Sequence, residues 1–241
     1  MGGSIQRRLR GALTLAISVS LVSAAAAVAA TSPSAQHVAA TQQLAVLNHD
    51  TKAFQAPRSS SGSAGEVGEV RPITGERTVL PILSSGGGGA WLKVLLPGRP
   101  NSHTGWIPAA SVSRTSTSWR IIVDLSTRKV TVFDNGRLTR TFAVVVGAPS
   151  TPTPTGNFFV EETVPLSPAI AGEPFALALS ARSNALKEFD GGPGQVALHG
   201  LANIGGIPGT AVSHGCIRLP TADIAWLGQH ISSGVPVTIT K

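Results

Sequence analysis

The chain has 241 residues, 42% hydrophobic and 13% charged, enough for one large or two small domains with a real core. Its formal charge is +7, but the basic residues are scattered and no basic run is interleaved with aromatic side chains. That pattern argues against nucleic-acid binding. The 27 glycines and 17 prolines, with few aromatic residues and no tyrosine, indicate short strands joined by many turns. Composition therefore predicts a mainly β protein.

Residues 1–30 have the three parts of an export signal. Arg7, Arg8 and Arg10 precede an apolar stretch from about 12 to 28, and small residues follow it. The apolar stretch is close to the length of a spanning helix, so this segment is predicted to be a signal peptide or a membrane anchor. Either would place the protein in the cell envelope, the periplasm or the extracellular wall. Without the three arginines, 16 basic and 12 acidic residues remain, a formal charge of +4 that suits work near an anionic surface.

Residues 31–65 are rich in Ala, Ser, Gln and Gly and have no sustained apolar periodicity, which predicts a flexible linker. Short apolar runs separated by glycine- and proline-rich turns follow, among them WLKV at 91–94 and GWI at 105–107. These pieces resemble wall-associated modules and predict a small SH3-like β-barrel over residues 66–114. Such a module could bind wall or substrate, or could be a stabilising spacer.

Residues 118–241 form a second predicted domain of strands and one short helix. Alternating or apolar runs predict strands over 119–125, 129–133, 137–146, 157–164, 176–181, 195–199 and 235–240. The dipeptide Asn135-Gly136, between the second and third of these, is typical of a type I′ hairpin turn. Thr221 is placed to cap the helix, and Gly234 is predicted to end it.

The only cysteine, Cys216, lies in the motif SHGCIRL at 213–219, a short distance after a second histidine, His199. An unpaired thiol in an exported protein is either buried and inert or retained for its reactivity. A free thiol is mostly protonated at neutral pH, so a cysteine nucleophile gains from a neighbouring base. His214 reaches the thiol only if the backbone turns sharply, whereas His199 arrives from a different strand. His199 is therefore the predicted base.

The neighbouring backbone supplies the other parts of a nucleophilic site. No aspartate is close in sequence to either motif, so the Gly200 carbonyl is a candidate to hold the second ring nitrogen of His199. Gly215 lets the chain turn tightly, so that backbone amides between Ser213 and Cys216 can converge on a developing oxyanion.

Arg218, two residues after the cysteine, offers a planar and permanently charged fork for a substrate carboxylate. His199, His214 and Cys216 could instead be three zinc ligands with an open fourth position. The chain has no second cysteine, no HExxH motif and no glutamate base near the motif, which argues against zinc. We therefore expect neither a metal nor a cofactor.

The SHGCIRL motif with the upstream His-Gly resembles the L,D-transpeptidase catalytic domain of the YkuD type, a bacterial family that cross-links peptidoglycan. The similarity covers about 119–241 and includes the TPTG turn at 153–156. It implies a mainly β sandwich with one short C-terminal helix, and a variable lid over 164–182. The residues that it assigns by position are catalytic Cys216, His199, Gly200 and His214, oxyanion backbone at Ser213, Gly215 and Cys216, and substrate-binding Arg218.

The resemblance implies that the cysteine attacks a stem tetrapeptide between its third residue, often a diaminopimelate, and a terminal D-Ala. D-Ala leaves, a thioester forms, and an amine of another stem resolves it as a 3→3 cross-link. Donor and acceptor stem peptides are then the expected partners. Water as the acceptor would make an L,D-carboxypeptidase, and a non-enzymatic wall-binding protein is the alternative from another class.

The chain departs from the family at two points. Gly200 stands where some members have serine, which is tolerable if only its carbonyl acts. The absence of tyrosine removes an oxyanion donor that some members use, which puts more of that role on the backbone.

Overall fold

The computed structural model of the protein describes Met1 and residues 38–189 and 191–241. The predicted signal or anchor, residues 1–30, lies outside this part except for Met1. Among the described residues, no helix is long and apolar enough to cross a membrane.

Seven strands form the N-terminal module: β1 Gln42–Leu47, β2 Thr51–Phe54, β3 Ser63–Val67, β4 Val79–Gly86, β5 Trp91–Leu95, β6 Thr104–Pro108 and β7 Val112–Thr117. They make one antiparallel sheet in the order β3-β2-β6-β5-β4-β1-β7. Leu47, Leu80, Leu92 and Ile107 are fully buried in its core. In β6 and over the first four residues of β5, buried positions alternate with half-buried ones, as expected for a sheet with one packed face.

The flexible-linker prediction for 31–65 is wrong from Gln42 onward, because β1, β2 and the start of β3 lie there. Strand β1 runs between β4 and β7, and Leu44, Ala45 and Leu47 are buried. A short apolar run is enough for a central strand when two neighbours satisfy its backbone. The module therefore extends over 42–117 rather than 66–114, and its SH3-like classification stays a prediction.

The described part of the C-terminal domain holds one helix and ten strands: β8 Trp119–Asp124, β9 Lys129–Asp134, β10 Arg137–Ala143, β11 Val146–Gly147, β12 Gly156–Pro165, β13 Phe175–Arg182, β14 Gln195–Gly200, β15 Ala211–Ser213, β16 Ile217–Leu219, α1 Thr221–His230 and β17 Pro236–Thr240. Eight strands form a mixed sheet, β10-β9-β8-β17-β12-β13-β14-β16, and β11 and β15 form a small parallel pair. The large sheet closes almost into a barrel around one core. The prediction of a mainly β fold with one short C-terminal helix is confirmed.

Local turn chemistry was predicted correctly at the hairpin and incorrectly at the helix ends. Asn135 and Gly136 have φ values of 50° and 73°, as a type I′ turn requires. Helix α1 begins at Thr221 with Pro220 in the cap position, and no side chain caps it. It ends at His230, and Gly234, with φ 87°, instead turns the chain into β17. The Thr221 cap and the Gly234 end are therefore wrong.

Strand β12 belongs to both hydrophobic cores. Phe158 packs in the C-terminal core, whereas Phe159 packs in the N-terminal core with Leu92 and Ile107. Successive residues of a strand point to opposite faces, so two adjacent phenylalanines can serve two cores. The N-terminal module is thus completed by a side chain from the other domain.

Two buried carboxylates on β12 make polar contacts with the N-terminal module. Glu161 pairs with Arg182, 3.1 Å away, and with Arg71 of the N-terminal module. Glu162 accepts hydrogen bonds from the backbone amide and hydroxyl of Thr74, at 2.9 and 3.1 Å. Burial raises the pKa of Glu161, and the charges of Arg182 and Arg71 oppose that rise. Because buried carboxylates are costly unless paired, these contacts fix the 71–74 segment against β12.

We predict that Phe159→Ala lowers the free energy of unfolding by about 3–5 kcal/mol, since it leaves a cavity in the N-terminal core. Urea denaturation of the full chain measures the change. Leu138→Ala is the control, because Leu138 is 64% exposed on β10 and its truncation should cost at most about 0.5 kcal/mol. Equal effects of the two substitutions would contradict the shared role of β12.

Candidate functional site

The predicted base and the predicted arginine lie opposite each other on paired strands. Strands β14 and β16 are parallel, with Leu198 opposite Ile217 and His199 opposite Arg218. Leu198 and Ile217 belong to the core, so the next residues along each strand face the other way. His199 and Arg218 therefore share one face of the sheet.

Cys216 comes immediately before β16. The backbone of Ala197, two residues before His199 on β14, is near enough to the thiol to oppose the rise in its pKa. Ala197 and His199 are two apart on β14 and so share a face of the sheet. The predicted nucleophile thus lies next to the first residue of β16, the strand that pairs with the strand of the predicted base.

The Gly200 carbonyl holds the ring of His199. Nδ1 of His199 lies 2.9 Å from the Gly200 oxygen. In the tautomer that donates Nδ1–H to this carbonyl, the lone pair of Nε2 is free to accept a proton. A backbone carbonyl thereby does the orienting that a carboxylate does in an aspartate-containing triad.

The loop between β12 and β13, within the predicted lid, covers the base. The Gly200 amide donates to the Gly172 oxygen at 2.7 Å, and the Gly172 amide donates to the Ala202 oxygen at 2.8 Å. A Cβ atom on Gly172 would lie 2.5 Å from Nδ1 of His199, and one on Gly200 would collide with the Glu173 carbonyl oxygen. Gly200, where some members of the family have serine, therefore allows the lid backbone to approach closely, because it has no side chain in the way.

Ser213 shapes the turn that carries the nucleophile. Its hydroxyl donates to the Cys216 carbonyl and accepts the Gly215 amide at 3.1 Å. Gly215 has φ 117°, in the region that favours glycine. The Gly215 amide already donates to the Ser213 hydroxyl, so it is not free to bind an oxyanion. The prediction of Gly215 as an oxyanion donor is therefore wrong. The amides of His214 and Cys216 become the candidates.

Two threonines that sequence reasoning missed brace this turn. The Thr151 hydroxyl donates to the Ser213 carbonyl at 3.0 Å, and the Thr153 hydroxyl donates to the Gly215 carbonyl at 2.9 Å. Thr153 also accepts the Gly147 amide at 2.9 Å. The TPTG turn marked the position of Thr153, but nothing in the sequence pointed to its partner across the fold.

Arg218 is 7% exposed, and its charge affects the pKa values of both His199 and Cys216. One terminal nitrogen donates to the Gly205 carbonyl at 3.2 Å, and Nε is buried with no hydrogen-bond partner among the described residues. Its charge adds to the lowering of the His199 pKa by burial and opposes the rise that burial causes in the Cys216 pKa. The guanidinium is therefore part of the electrostatics of the site.

His214 lies beside Cys216 but packs against a different ring. Its imidazole is 5.5 Å from the Phe189 ring, centroid to centroid, with the planes 35° apart. Both rings line a small cavity of about 20 Å³ that also includes Cys216. Phe189 was not predicted, since an isolated phenylalanine between polar residues carries no local signal.

Cavity size does not locate this site. A larger cleft of about 500 Å³ is lined by residues that include Glu76, Trp119 and His230, and no residue of the cysteine motif lines it. Among the described residues, no group of three His, Cys, Asp or Glu side chains could hold a metal ion. Chemistry rather than volume identifies the Cys216 region as the candidate.

Burial sets the protonation of the pair. It raises the pKa of the Cys216 thiol, against the opposing effects of the Ala197 hydrogen bond and the Arg218 charge. It lowers the pKa of His199, where the Gly200 hydrogen bond opposes the shift and the Arg218 charge adds to it. A thiol and an imidazole that both resist charging form a neutral pair at rest. Such a site can transfer a proton from sulfur to nitrogen as the sulfur attacks.

The family profile described as L,D-transpeptidase catalytic domain, YkuD, matches residues 118–239. The chain therefore belongs to the YkuD family of L,D-transpeptidase catalytic domains. A Bacillus licheniformis protein named "Putative L,D-transpeptidase YkuD" is 31% identical over 163 residues, which cover 66% of this chain and 81% of that protein. L,D-transpeptidase 1 of Mycobacterium tuberculosis is 30% identical over 130 residues, 49% of each chain. The solved L,D-transpeptidase from Mycobacterium smegmatis aligns with a TM-score of 0.41 and 23% identity, over 67% of this chain and 82% of that one.

We predict that alkylation of Cys216 by iodoacetamide keeps accelerating as the pH rises past about 8.5, the pKa of an ordinary free thiol. The reason is that burial raises the pKa of this thiol, so its thiolate fraction is still growing there. Mass spectrometry of the full chain gives the rate at each pH, with free cysteine as the control. A rate that is already constant from neutral pH upward would mean a preformed thiolate and would contradict the neutral pair.

We predict that Gly172→Ala displaces the His199 ring from the Gly200 carbonyl, because the new Cβ would lie 2.5 Å from Nδ1. Gly209→Ala is the matched control, with φ 91° against 90° and no atom within 4 Å of its Cβ. Both variants lose about 1–2 kcal/mol for a left-handed alanine. Only Gly172→Ala should change the imidazole nitrogen shifts of His199, measured by long-range ¹H–¹⁵N NMR. Unchanged shifts would mean that the lid yields instead of the ring.

Proposed function

We propose that the protein is a peptidoglycan L,D-transpeptidase with Cys216 as nucleophile and His199 as general base. The observation that carries this proposal is the pairing of β14, which bears His199 with its Nδ1 held by the Gly200 carbonyl, with β16, which begins directly after Cys216. Membership of the L,D-transpeptidase family supports it independently.

In the first step Nε2 of His199 accepts the thiol proton while the sulfur attacks the carbonyl carbon between the third residue of a stem tetrapeptide and its terminal D-Ala. The tetrahedral intermediate carries one negative oxygen, which the amides of His214 and Cys216 are placed to receive. Collapse breaks the carbon–nitrogen bond, and the imidazolium returns its proton to the leaving amine of D-Ala. A thioester on Cys216 remains.

In the second step an amine of another stem attacks the thioester carbonyl, and His199 accepts the proton that this amine loses. The carbon–sulfur bond breaks, the thiol regains its proton, and a 3→3 cross-link is released. The same chemistry with water as acceptor would be L,D-carboxypeptidase activity. A wall-binding protein without activity would have no need of the thiol.

Arg218 has two roles in this proposal. Its charge, close to both His199 and Cys216, favours the neutral imidazole at rest and stabilises developing negative charge on sulfur or oxygen. Its guanidinium is also the group proposed to bind a carboxylate of the stem peptide.

We also propose that the protein works outside the cytoplasmic membrane. The arginines at 7, 8 and 10 and the apolar stretch after them support export or anchoring. Peptidoglycan stems, the proposed donor and acceptor, lie in that compartment.

The test is incubation of the full chain with a disaccharide tetrapeptide, followed by mass spectrometry. We expect loss of D-Ala together with a cross-linked dimer from the unsubstituted protein. Cys216→Ala should give no product, and His199→Ala should lower the rate by at least about 100-fold, the usual contribution of a general base. His49→Ala is the control, since His49 is exposed in the N-terminal module, and it should leave the rate unchanged.

The outcomes separate the three alternatives. D-Ala loss without a dimer would identify a carboxypeptidase. No D-Ala loss, together with no covalent adduct on Cys216 after exposure to a carbapenem, would rule out catalysis and leave a wall-binding protein.

A further inference from the structure

One loop forms a wall of the cavity at Cys216. It comprises residues 183–189 and 191–194, between β13 and β14, and is called here the active-site loop. Its base is closed by a hydrogen bond from the Ser183 amide to the Gly194 carbonyl at 2.7 Å. Near its tip, Phe189 and Gly192 exchange backbone hydrogen bonds of 3.0 Å each. The loop is therefore a folded unit with a base and a tip.

The tip lies at the nucleophile. Phe189 packs on the ring of His214, and the two line the same small cavity as Cys216. Phe189 remains 50% exposed, so it stands at the border between the cavity and solvent. Any shift of the tip changes the space through which a substrate carbonyl reaches the sulfur.

The base is held by an arginine from the N-terminal module. One terminal nitrogen of Arg99 donates to the Pro193 carbonyl at 2.9 Å. The other donates to the Ser183 carbonyl at 2.8 Å and to the Leu186 carbonyl at 3.3 Å. A single guanidinium thus donates hydrogen bonds to three carbonyls from both ends of the loop. It can do so because it has five donors in a fixed planar fork.

The turn that carries Arg99 is itself fixed to β13. The side chain of Asn101 donates to the Arg182 carbonyl and accepts the Arg182 amide, both at 2.8 Å. The Gly98 amide donates to the Ser180 carbonyl at 3.2 Å. Arg182 in turn pairs with the buried Glu161. Arg99 is therefore presented from a rigid support.

Apolar burial does little to fix the active-site loop. Most of its described residues are exposed, and Leu186 is only half-buried. Hydrogen bonds from a charged donor are stronger than neutral ones, so those of Arg99 carry much of the restraint. Loss of Arg99 would leave the base with its own backbone contacts alone.

We propose that Arg99 is a positioning residue, through which the N-terminal module sets the place of the active-site loop and so the access of the stem peptide to Cys216. The proposal rests on the proposed transpeptidase function for its kinetic consequence. It assigns the N-terminal module a role in the active site that neither a spacer nor a separate wall-binding module would have.

The first experiment needs no activity. Hydrogen exchange of the full chain is compared for the unsubstituted protein, Arg99→Ala, Arg99→Lys and Arg114→Ala. Arg114 is the matched control, an exposed arginine on β7 of the same module. In Arg99→Ala we expect about tenfold faster exchange in the active-site loop, with β12 and β17 unchanged. Arg99→Lys should restore part of the protection, and Arg114→Ala should resemble the unsubstituted protein.

The second experiment measures D-Ala release from the disaccharide tetrapeptide. Arg99→Ala should lower kcat/KM by about ten- to a hundredfold, mainly through KM, because a displaced wall weakens productive binding. The amount of Cys216 that iodoacetamide alkylates at completion should stay at one thiol per chain. A fall in kcat with unchanged KM and fewer reactive thiols would indicate partial unfolding and would overturn the positioning role.

Unchanged exchange in the active-site loop, or exchange that accelerates equally throughout the chain, would also overturn it. If the unsubstituted protein releases no D-Ala, the proposed function fails, while the exchange result still decides whether Arg99 positions the loop.

Discussion

The parallel pairing of β14 with β16 is the constraint on which the site depends. Leu198 and Ile217 lie in the core, and their burial fixes the register of the two strands. Side chains alternate along a strand, so a slip of one residue would turn His199 into the core and Leu198 toward the thiol. The same hydrophobic contacts that stabilise the sheet therefore fix the side of the sheet on which His199 and Arg218 lie.

Close backbone contact gives this site its electrostatic character. The lid passes so near to His199 and Gly200 that it admits no side chain at Gly172 or Gly200. This packing desolvates the pair, which raises the pKa of the thiol and lowers the pKa of the imidazole. Burial thus favours a neutral thiol and a neutral imidazole over a thiolate and an imidazolium.

The N-terminal module and the C-terminal domain are joined by side-chain contacts as well as by the chain. Phe159 crosses from β12 into the other core, and Glu161 joins arginines from both sides. These contacts hold the turn of Arg99 in register with the active-site loop. A module that looks like an appendage in the sequence thus contacts the loop that lines the cavity at Cys216.

The sequence by itself determined the mainly β fold, the Asn135-Gly136 hairpin and the family of the C-terminal domain, because alternation, turn chemistry and the SHGCIRL motif are local signals. Only the tertiary structure decided that 42–54 is strand rather than linker, since a short run becomes a strand when neighbours satisfy its backbone. It likewise decided that Ser213 occupies the Gly215 amide and that Arg99 holds the active-site loop. These contacts depend on which side chain meets which backbone group in space, and local sequence patterns do not encode such meetings.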